Sequence, residues 1–384
     1  MPDVVIIGAG ISGLSCAWTL KQLGIEAVVV EAGSRPGGVI RSENVDGFLV
    51  EWGPNSFQPA PAALRIIEEI GLWDDLLPHA PNAPRFVYLN GSLRKFPFGP
   101  LSFSGIARIL REPLVRSKSR EDESVRDFFT RRFGKQAHDH LVGPLLTGMY
   151  AADTTQLSMA AVFPRMIDME QRHGSLIGAM LRSFTGRRSA SPSNSDWRPS
   201  KPKPRGSIFS FSAGMETLPR RIAAHVTVRY NTADARVGDA KATVITLPAY
   251  RAGDVLADTH PGLAALLGKV QYAPMVVAAT ALPEDVFNPP LRGFGFLVPR
   301  NQGLHMLGTL FSSALFADRA PAGKVLLTSF LGGAFEPDAV TWPDERIWQT
   351  ICPELQRVLK TAVAPEPVAL VRHRHAIPQY RIGH

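Results

Sequence analysis

The run Val4 to Gly24, VVIIGAGISGLSCAWTLKQLG, restricts the possible folds of this chain more than any other feature. Val4 to Ile7 are β-branched and bounded by glycine, the pattern of a buried parallel strand. Gly8 permits a tight turn, Gly10 lets the backbone approach a pyrophosphate, and Gly13 permits close packing of helix on strand. The helix from Ser12 onward aims free N–H groups and a positive dipole end at the same place. Gly24 is a helix stop. EAVVVE then forms a second strand. Its terminal Glu31, next to Ala32, lies close to the ~20-residue spacing at which an acid meets a ribose hydroxyl. Strand, glycine turn, helix, strand and acid agree, and together they predict a dinucleotide site.

Two further turns refine this reading. Arg35-Pro36-Gly37-Gly38-Val39-Ile40-Arg41-Ser42 follows Glu31, and a glycine pair lets the backbone run against a bound cofactor. Glu51-Trp52-Gly53-Pro54-Asn55-Ser56-Phe57 is a second turn rich in small residues. The succession resembles the FAD-dependent amine oxidase superfamily and implies FAD rather than NAD. The FAD-binding positions are then Gly8, Gly10, Ile11, Ser12, Gly13, Glu31, Ala32, Arg35, Gly37, Gly38 and the turn Gly53, Pro54, Asn55, Ser56. Many members carry Arg directly after the glycine pair. Here Val39 stands there and Arg41-Ser42 follow, a GGxIRS variant that resembles the porphyrinogen oxidase branch.

Composition narrows the alternatives. A chain of 384 residues has room for two or more domains, and 45% apolar with 20% charged residues is ordinary for a soluble globular protein. Two cysteines, Cys16 and Cys352, make no disulfide framework, so a reducing, cytoplasmic setting is expected. No metal-ligand spacing occurs, and His373 and His375 are a histidine pair only two residues apart; no metal is expected. The net charge of +8 suits anionic lipid, nucleic acid or an anionic substrate. No recognition helix or RNP-like motif supports nucleic acid. No signal peptide is expected ahead of the first strand, and no apolar run reaches the ~18 residues needed to span a bilayer.

The middle of the chain, Phe96 to Phe184, is helical and basic. Ile106, Ile109, Leu110 and Leu114 fall on one helical face with Arg108 and Arg111 off it, and Pro113 marks a break. Ser124 to Asp127 read as a capping box. The Ser-, Pro- and cation-rich stretch 186–206 reads as a mobile loop. Two readings stay open for this region: docking on an anionic membrane, or a solvated surface with an ordinary linker. Ile208 to Ala224 then gives a strand, a Gly214 turn and a helix, and His225–Tyr230 and Ala242–Ala249 are strand-like. A Thr-x-Pro-Ala turn such as Thr246–Ala249 ends a strand of the nucleotide domain in FAD oxidases, which implies a discontinuous domain. After Val270, VVAATAL, GFGFLVP, HMLGTLFSS and KVLLTSFLGG predict an antiparallel sheet.

The expected fold is therefore α/β within an α+β multi-domain chain. A Rossmann-like FAD-binding domain would take 1–75 and 207–252, and an antiparallel-sheet substrate domain 76–95 and 253–375. A helical membrane-facing insert would take 96–206, and 376–384 would begin a C-terminal FAD segment.

Stretches along the whole chain resemble the oxygen-dependent protoporphyrinogen oxidase family: PRFVYLNGSLRKFP (Pro84–Pro97), SVRDFFTRRFG (Ser124–Gly134), LTGMYAADTTQLS (Leu146–Ser158), HGSLI (His173–Ile177), GFGFLVP (Gly293–Pro299), LGTLFSS (Leu307–Ser313), FLGG (Phe330–Gly333) and AIPQYRIGH (Ala376–His384). The resemblance implies that Arg85 pairs with a substrate propionate, chemistry to which a guanidinium is suited. It implies that the Gly148 carbonyl faces pyrrole N–H groups and that Leu297, Leu310 and Phe330 clamp the macrocycle. By pattern alone these three read as core residues. Ala152 stands where many relatives carry Gly.

The implied reaction is the six-electron oxidation of protoporphyrinogen IX to protoporphyrin IX with dioxygen, in three rounds of hydride transfer to the flavin. It needs no catalytic side chain, and none is assigned. Oxidation of coproporphyrinogen III to coproporphyrin III is one alternative. The other follows from the chain's end at His384, where family members continue through a glycine-rich segment that covers the flavin. On that reading the FAD cradle lacks one wall, and the chain is a catalytically dead tetrapyrrole- or membrane-binding remnant. Peripheral contact with the cytoplasmic face of a membrane is expected from the insert, and a homodimer stays open.

Overall fold

Val4–Ile7 pairs in parallel with Ala27–Val30 on one side and Ala242–Ile245 on the other. Thr227–Arg229 adds a fourth parallel strand beyond Ala27–Val30. Two of these strands come from the start of the chain and two from beyond residue 220, so the nucleotide sheet is discontinuous in sequence. The computed structural model describes residues 2–116, 122–185 (without the side chains of 183–185), 197–202, 204–234, 238 and 240–384. Most of the basic stretch 186–206 thus lies outside the described residues. The chain divides into two units, the first made of Met1–Pro81, Ser193–Gln271 and Phe316–Ala320.

Both faces of the four-stranded sheet are covered, which is why its strands are uninterrupted apolar runs. Ile6 and Val29 pack with Leu14, Ala17 and Trp18 of the helix Ile11–Gln22. On the other face Val5, Ile7, Val28 and Val30 cluster with Val255 of the helix Ala249–Leu256. That packing carries the first unit on to Gln271, past the expected boundary at 252. The fingerprint helix stops as read from sequence: Leu23 caps it and Gly24 follows at φ +72°.

The second unit comprises Asn82–Pro192, Tyr272–Leu315 and Pro321–His384. Its seven-stranded sheet runs, edge to edge, Glu366–Pro378, Tyr272–Pro283, Lys324–Gly332, Met306–Leu310, Gly295–Leu297, Arg85–Leu89 and Ser92–Lys95. All neighbours are antiparallel except Gly295–Leu297 against Arg85–Leu89. The helix Asp344–Leu359 lays Ile347, Ile351, Leu355 and Val358 on one face of this sheet. The edge strand Glu366–Pro378 carries an apolar stretch and then alternating Arg and His, and it takes in residues 376–378.

The helical region belongs to the same unit. Its helices pack around Val125, Phe128, Phe129, Leu146, Leu157 and Leu176. Ser124 is the N-cap of Val125–Phe133, with its hydroxyl accepting from the Asp127 N–H. A buried ion network ties these helices together. Arg132 is wholly enclosed and meets Glu112 at 2.7 Å and Glu170 at 3.3 Å. Glu112 also accepts from the Ser175 hydroxyl and the N–H groups of Leu176 and Ile177, capping the helix Leu176–Thr185. Removing one partner would strand a buried charge at a cost of about 3–5 kcal/mol.

Candidate functional site

The cofactor residues gather at the carboxyl ends of the parallel strands of the first unit. The helix Ile11–Gln22 begins there with Gly10 as N-cap, no side chain capping it and no acid in its first turn. Its N–H groups and dipole end are therefore available to an anion. A Cβ placed on Gly10 would meet nothing within 4 Å, so this surface is open, whereas one on Gly13 would collide with the Gly8 carbonyl. Thr246 pins the glycine turn by donating its hydroxyl to the carbonyls of Ile7 and Gly8, each at 3.0 Å.

Glu31 closes the second strand with its carboxylate turned to the same end. One oxygen accepts from the Ala9 N–H and the other from the Gly33 N–H, both at 2.8 Å. A carboxylate has about four acceptor sites, so two remain for ribose hydroxyls. Arg35 is used differently. It donates to the carbonyls of Pro36, Gly38 and Ile40, which fixes the turn carrying Gly37 and Gly38. Gly37 in turn bridges to Gly10. The loop of Gly53, Pro54, Asn55 and Ser56 presses on this turn, because a Cβ on Gly53 would run into the Val39 carbonyl. Asn55 folds back onto the Gly53 carbonyl, and Ala32 and Ser12 are exposed beside Glu31 and the helix start.

Behind these turns lies a polar cluster that the sequence did not announce. Glu51 is 4% exposed, accepts from the Ser42 hydroxyl and the Met215 N–H, and lies 3.8 Å from Arg319. Burial pushes its carboxyl up to about 7 against the pull of Ser42, Met215 and Arg319. Burial also lowers Arg319, so desolvation outweighs the ion pair for both partners. Glu216 links the cluster to the cofactor turn, accepting from the Ser42 N–H and lying 3.5 Å from Arg35. Glu51 was visible in sequence only as the head of a turn, and Arg319 has no local motif.

The residues expected to meet a substrate gather in the second unit. Arg85, Gly295, Leu310 and Thr328 stand side by side across four strands. Val87, Leu297, Gly308 and Phe330 form the next row. The rows are two residues apart, so Arg85, Leu310, Leu297 and Phe330 share one sheet face. It is the face opposite the helix Asp344–Leu359, and all three apolar side chains are only partly buried. Pattern alone left them as core residues; the register makes them one apolar platform with a cation at its rim. Arg85 is exposed, stacks 4.7 Å over Phe294, and has no ion pair among the described residues.

Gly148 touches the same platform from the helix Gly143–Tyr150. A Cβ there would lie 2.5 Å from Leu297 Cδ2, so only glycine lets the helix sit this close. It falls in the last turn, where carbonyls run out of helical partners. Ala152 is fully buried, and its neighbour Ala151 takes the left-handed conformation that ends the helix at φ +52°. Among the described residues no group of three or more His, Cys, Asp or Glu could hold a metal.

The family model of flavin containing amine oxidoreductases matches residues 11–381. The chloroplastic protoporphyrinogen oxidase 1 of Arabidopsis thaliana is 34% identical over all of this chain and 79% of its own length. The coproporphyrinogen III oxidase of Bacillus subtilis is 28% identical over 99% of this chain and 88% of its own. A crystal structure from Exiguobacterium, assigned provisionally as a protoporphyrinogen oxidase, superposes with a TM-score of 0.79 at 23% identity, over 99% of this chain and 88% of that one. The open glycine cradle, the Glu31 carboxylate and the paired turns fit the nucleotide half of FAD, the family's cofactor. The chain belongs to the flavin containing amine oxidoreductase family and is an FAD-dependent oxidoreductase.

Proposed function

We propose that this chain oxidises protoporphyrinogen IX to protoporphyrin IX, with dioxygen as the final acceptor. The observation that carries the reading is the platform of Leu297, Leu310 and Phe330 with Arg85 in register at its rim. A flat apolar macrocycle with carboxylate arms matches such a surface. Bound FAD supplies the electron acceptor for removal of hydride from a saturated bridge carbon.

The chain's own contribution is binding and orientation. Arg85 pairs with a propionate and fixes the ring's rotation. The three apolar side chains exclude water from the ring's face. The Gly148 carbonyl takes the pyrrole N–H groups. The test is to load the chain with FAD and mix it aerobically with protoporphyrinogen IX. Porphyrin fluorescence should rise faster than in the same mixture without protein, and an unchanged rate would reject the reading.

Coproporphyrinogen III is the second candidate substrate, favoured by the Bacillus relative named for that activity. The helical region supports peripheral docking on an anionic membrane. Phe98, Phe103, Leu110 and Leu114 are 67–94% exposed, with the cations Arg108 and Arg111 beside them. No described helix is long and apolar enough to cross a membrane. Co-sedimentation with anionic vesicles should be salt-sensitive and should fall for Phe103→Ser with Leu114→Ser; equal pelleting of both proteins would remove docking by this patch.

A further inference from the structure

The second unit holds a cavity of about 330 Å3 outside the platform. It lies between the helix Gly143–Tyr150, the turns ahead of it, and residues 298–302. That volume is at the lower end for a ligand pocket. It suits a small acid or a substituent arm, and is too small for a whole tetrapyrrole.

Its ionisable lining is mainly basic. Lys135, His138, His140 and Arg300 face it against one carboxylate, Asp139. Asp139 is already committed, to the Lys135 ammonium and to His138 Nδ1. The other His138 nitrogen is held by the Thr154 hydroxyl at 2.9 Å, so this ring is an anchor. His140 donates from Nδ1 to the Pro100 carbonyl at 2.9 Å, so the other nitrogen of a neutral ring has no proton to offer a carboxylate. Arg300 stacks its guanidinium 3.1 Å over the Phe335 ring and has no hydrogen bond or ion pair within 4 Å among the described residues. Desolvation pushes it down to about 10, still charged at neutral pH, against the pull of Asp153 and Glu336. A stacked, fixed guanidinium with its donors free is a carboxylate receptor without its carboxylate.

Two residues lining the cavity, Thr147 and Val298, are the chain neighbours of Gly148 and Leu297, which meet at the platform. Gly143, Pro144 and Thr147 lie on the helical face that presents Gly148 to Leu297. Arg300 follows Leu297 on the same chain segment, five residues beyond Gly295, the partner of Arg85.

We propose that Arg300 and Lys135 form a second carboxylate subsite, which takes an additional propionate of a porphyrinogen bearing more than the two of protoporphyrinogen. This rests on the porphyrinogen reading. It makes the cavity a determinant of preference among substrates by carboxylate count. A free small carboxylate has the same chemistry and is the competing occupant.

The test is equilibrium binding of coproporphyrin III, with four propionates, and protoporphyrin IX, with two, to the FAD-loaded wild type and to Arg300→Gln. Quenching of porphyrin fluorescence reports the complex. Arg300 is exposed and buries no side chain of the core, so the variant should fold, and its melting temperature serves as the check. The proposal predicts about a tenfold weaker Kd for coproporphyrin in Arg300→Gln, with protoporphyrin changed less than twofold. Lys135→Gln should act in the same direction. Equal losses for both porphyrins, or none, would overturn it. Titration with free propionate separates the sources. If propionate binds the wild type and not Arg300→Gln, while coproporphyrin affinity is the same in both, the subsite is for a free acid and the proposal fails. A wild type that binds neither porphyrin rejects the porphyrinogen reading itself.

Discussion

Glu51→Gln should remove a pH-dependent weakness from the first unit. Burial raises the Glu51 carboxyl from 4.5 to about 7 in the folded chain. Below pH 4.5 both folded and unfolded states hold the proton, and the group has no effect. Between 4.5 and 7 the unfolded chain releases it while the folded chain keeps it. Stability must therefore fall as pH rises through this window, and the full cost stands above pH 7. At 1.36 kcal/mol per pKa unit, the interval corresponds to about 3 kcal/mol. Glutamine stays neutral and can still accept from the Met215 N–H and meet the Ser42 hydroxyl, the partners of the two hydrogen bonds Glu51 accepts. Urea unfolding of wild type and Glu51→Gln at pH 5, 6, 7 and 8 is the assay. The two should be close at pH 5, and the variant should gain about 3 kcal/mol on the wild type by pH 8. A constant difference across the series would refute the raised value. A wild type that gains on the variant with rising pH would show that the Arg319 attraction at 3.8 Å outweighs desolvation.

Three further outcomes follow from the same geometry. Gly13→Ala places a Cβ against the Gly8 carbonyl, so the purified variant should carry far less FAD per chain, read from its visible absorbance. Arg85→Ala should raise the KM for a porphyrinogen about 10- to 100-fold and leave kcat nearly unchanged, since a charge-assisted pair is worth about 1.5–3 kcal/mol. Lys360→Gly relieves a left-handed backbone at φ +56° at the exposed end of the helix Asp344–Leu359 and should raise stability by about 1 kcal/mol, seen as a higher melting temperature.

The nucleotide half of the molecule was legible in sequence because its chemistry is local. Gly8, Gly10, Gly13 and Glu31 sit within one strand–helix–strand unit, and the structure gathers them at one end of its parallel strands. Arg35 was read as a cofactor contact, whereas three of its bonds go to carbonyls of the turn it shapes. The platform was legible only through resemblance. Arg85, Leu297, Leu310 and Phe330 are far apart in sequence and meet only by cross-strand register, which no periodicity encodes. The Glu51, Glu216 and Arg319 cluster was hidden for the same reason, since its members come from three separate chain segments. The strand Glu366–Pro378 was missed as such because its Arg-His-Arg-His stretch reads as a polar surface. It lies at the sheet edge, where one flank needs no apolar partner.

The central claim is that a flavin held by the glycine cradle accepts electrons from a porphyrinogen held by this chain. Its most direct test is anaerobic mixing of the FAD-loaded chain with protoporphyrinogen IX while the visible spectrum is followed. The account predicts that flavin absorbance bleaches as each FAD takes two electrons, with little porphyrin formed, and that on admitting air the flavin absorbance returns and porphyrin appears. Flavin that stays oxidised with porphyrinogen in excess would contradict it.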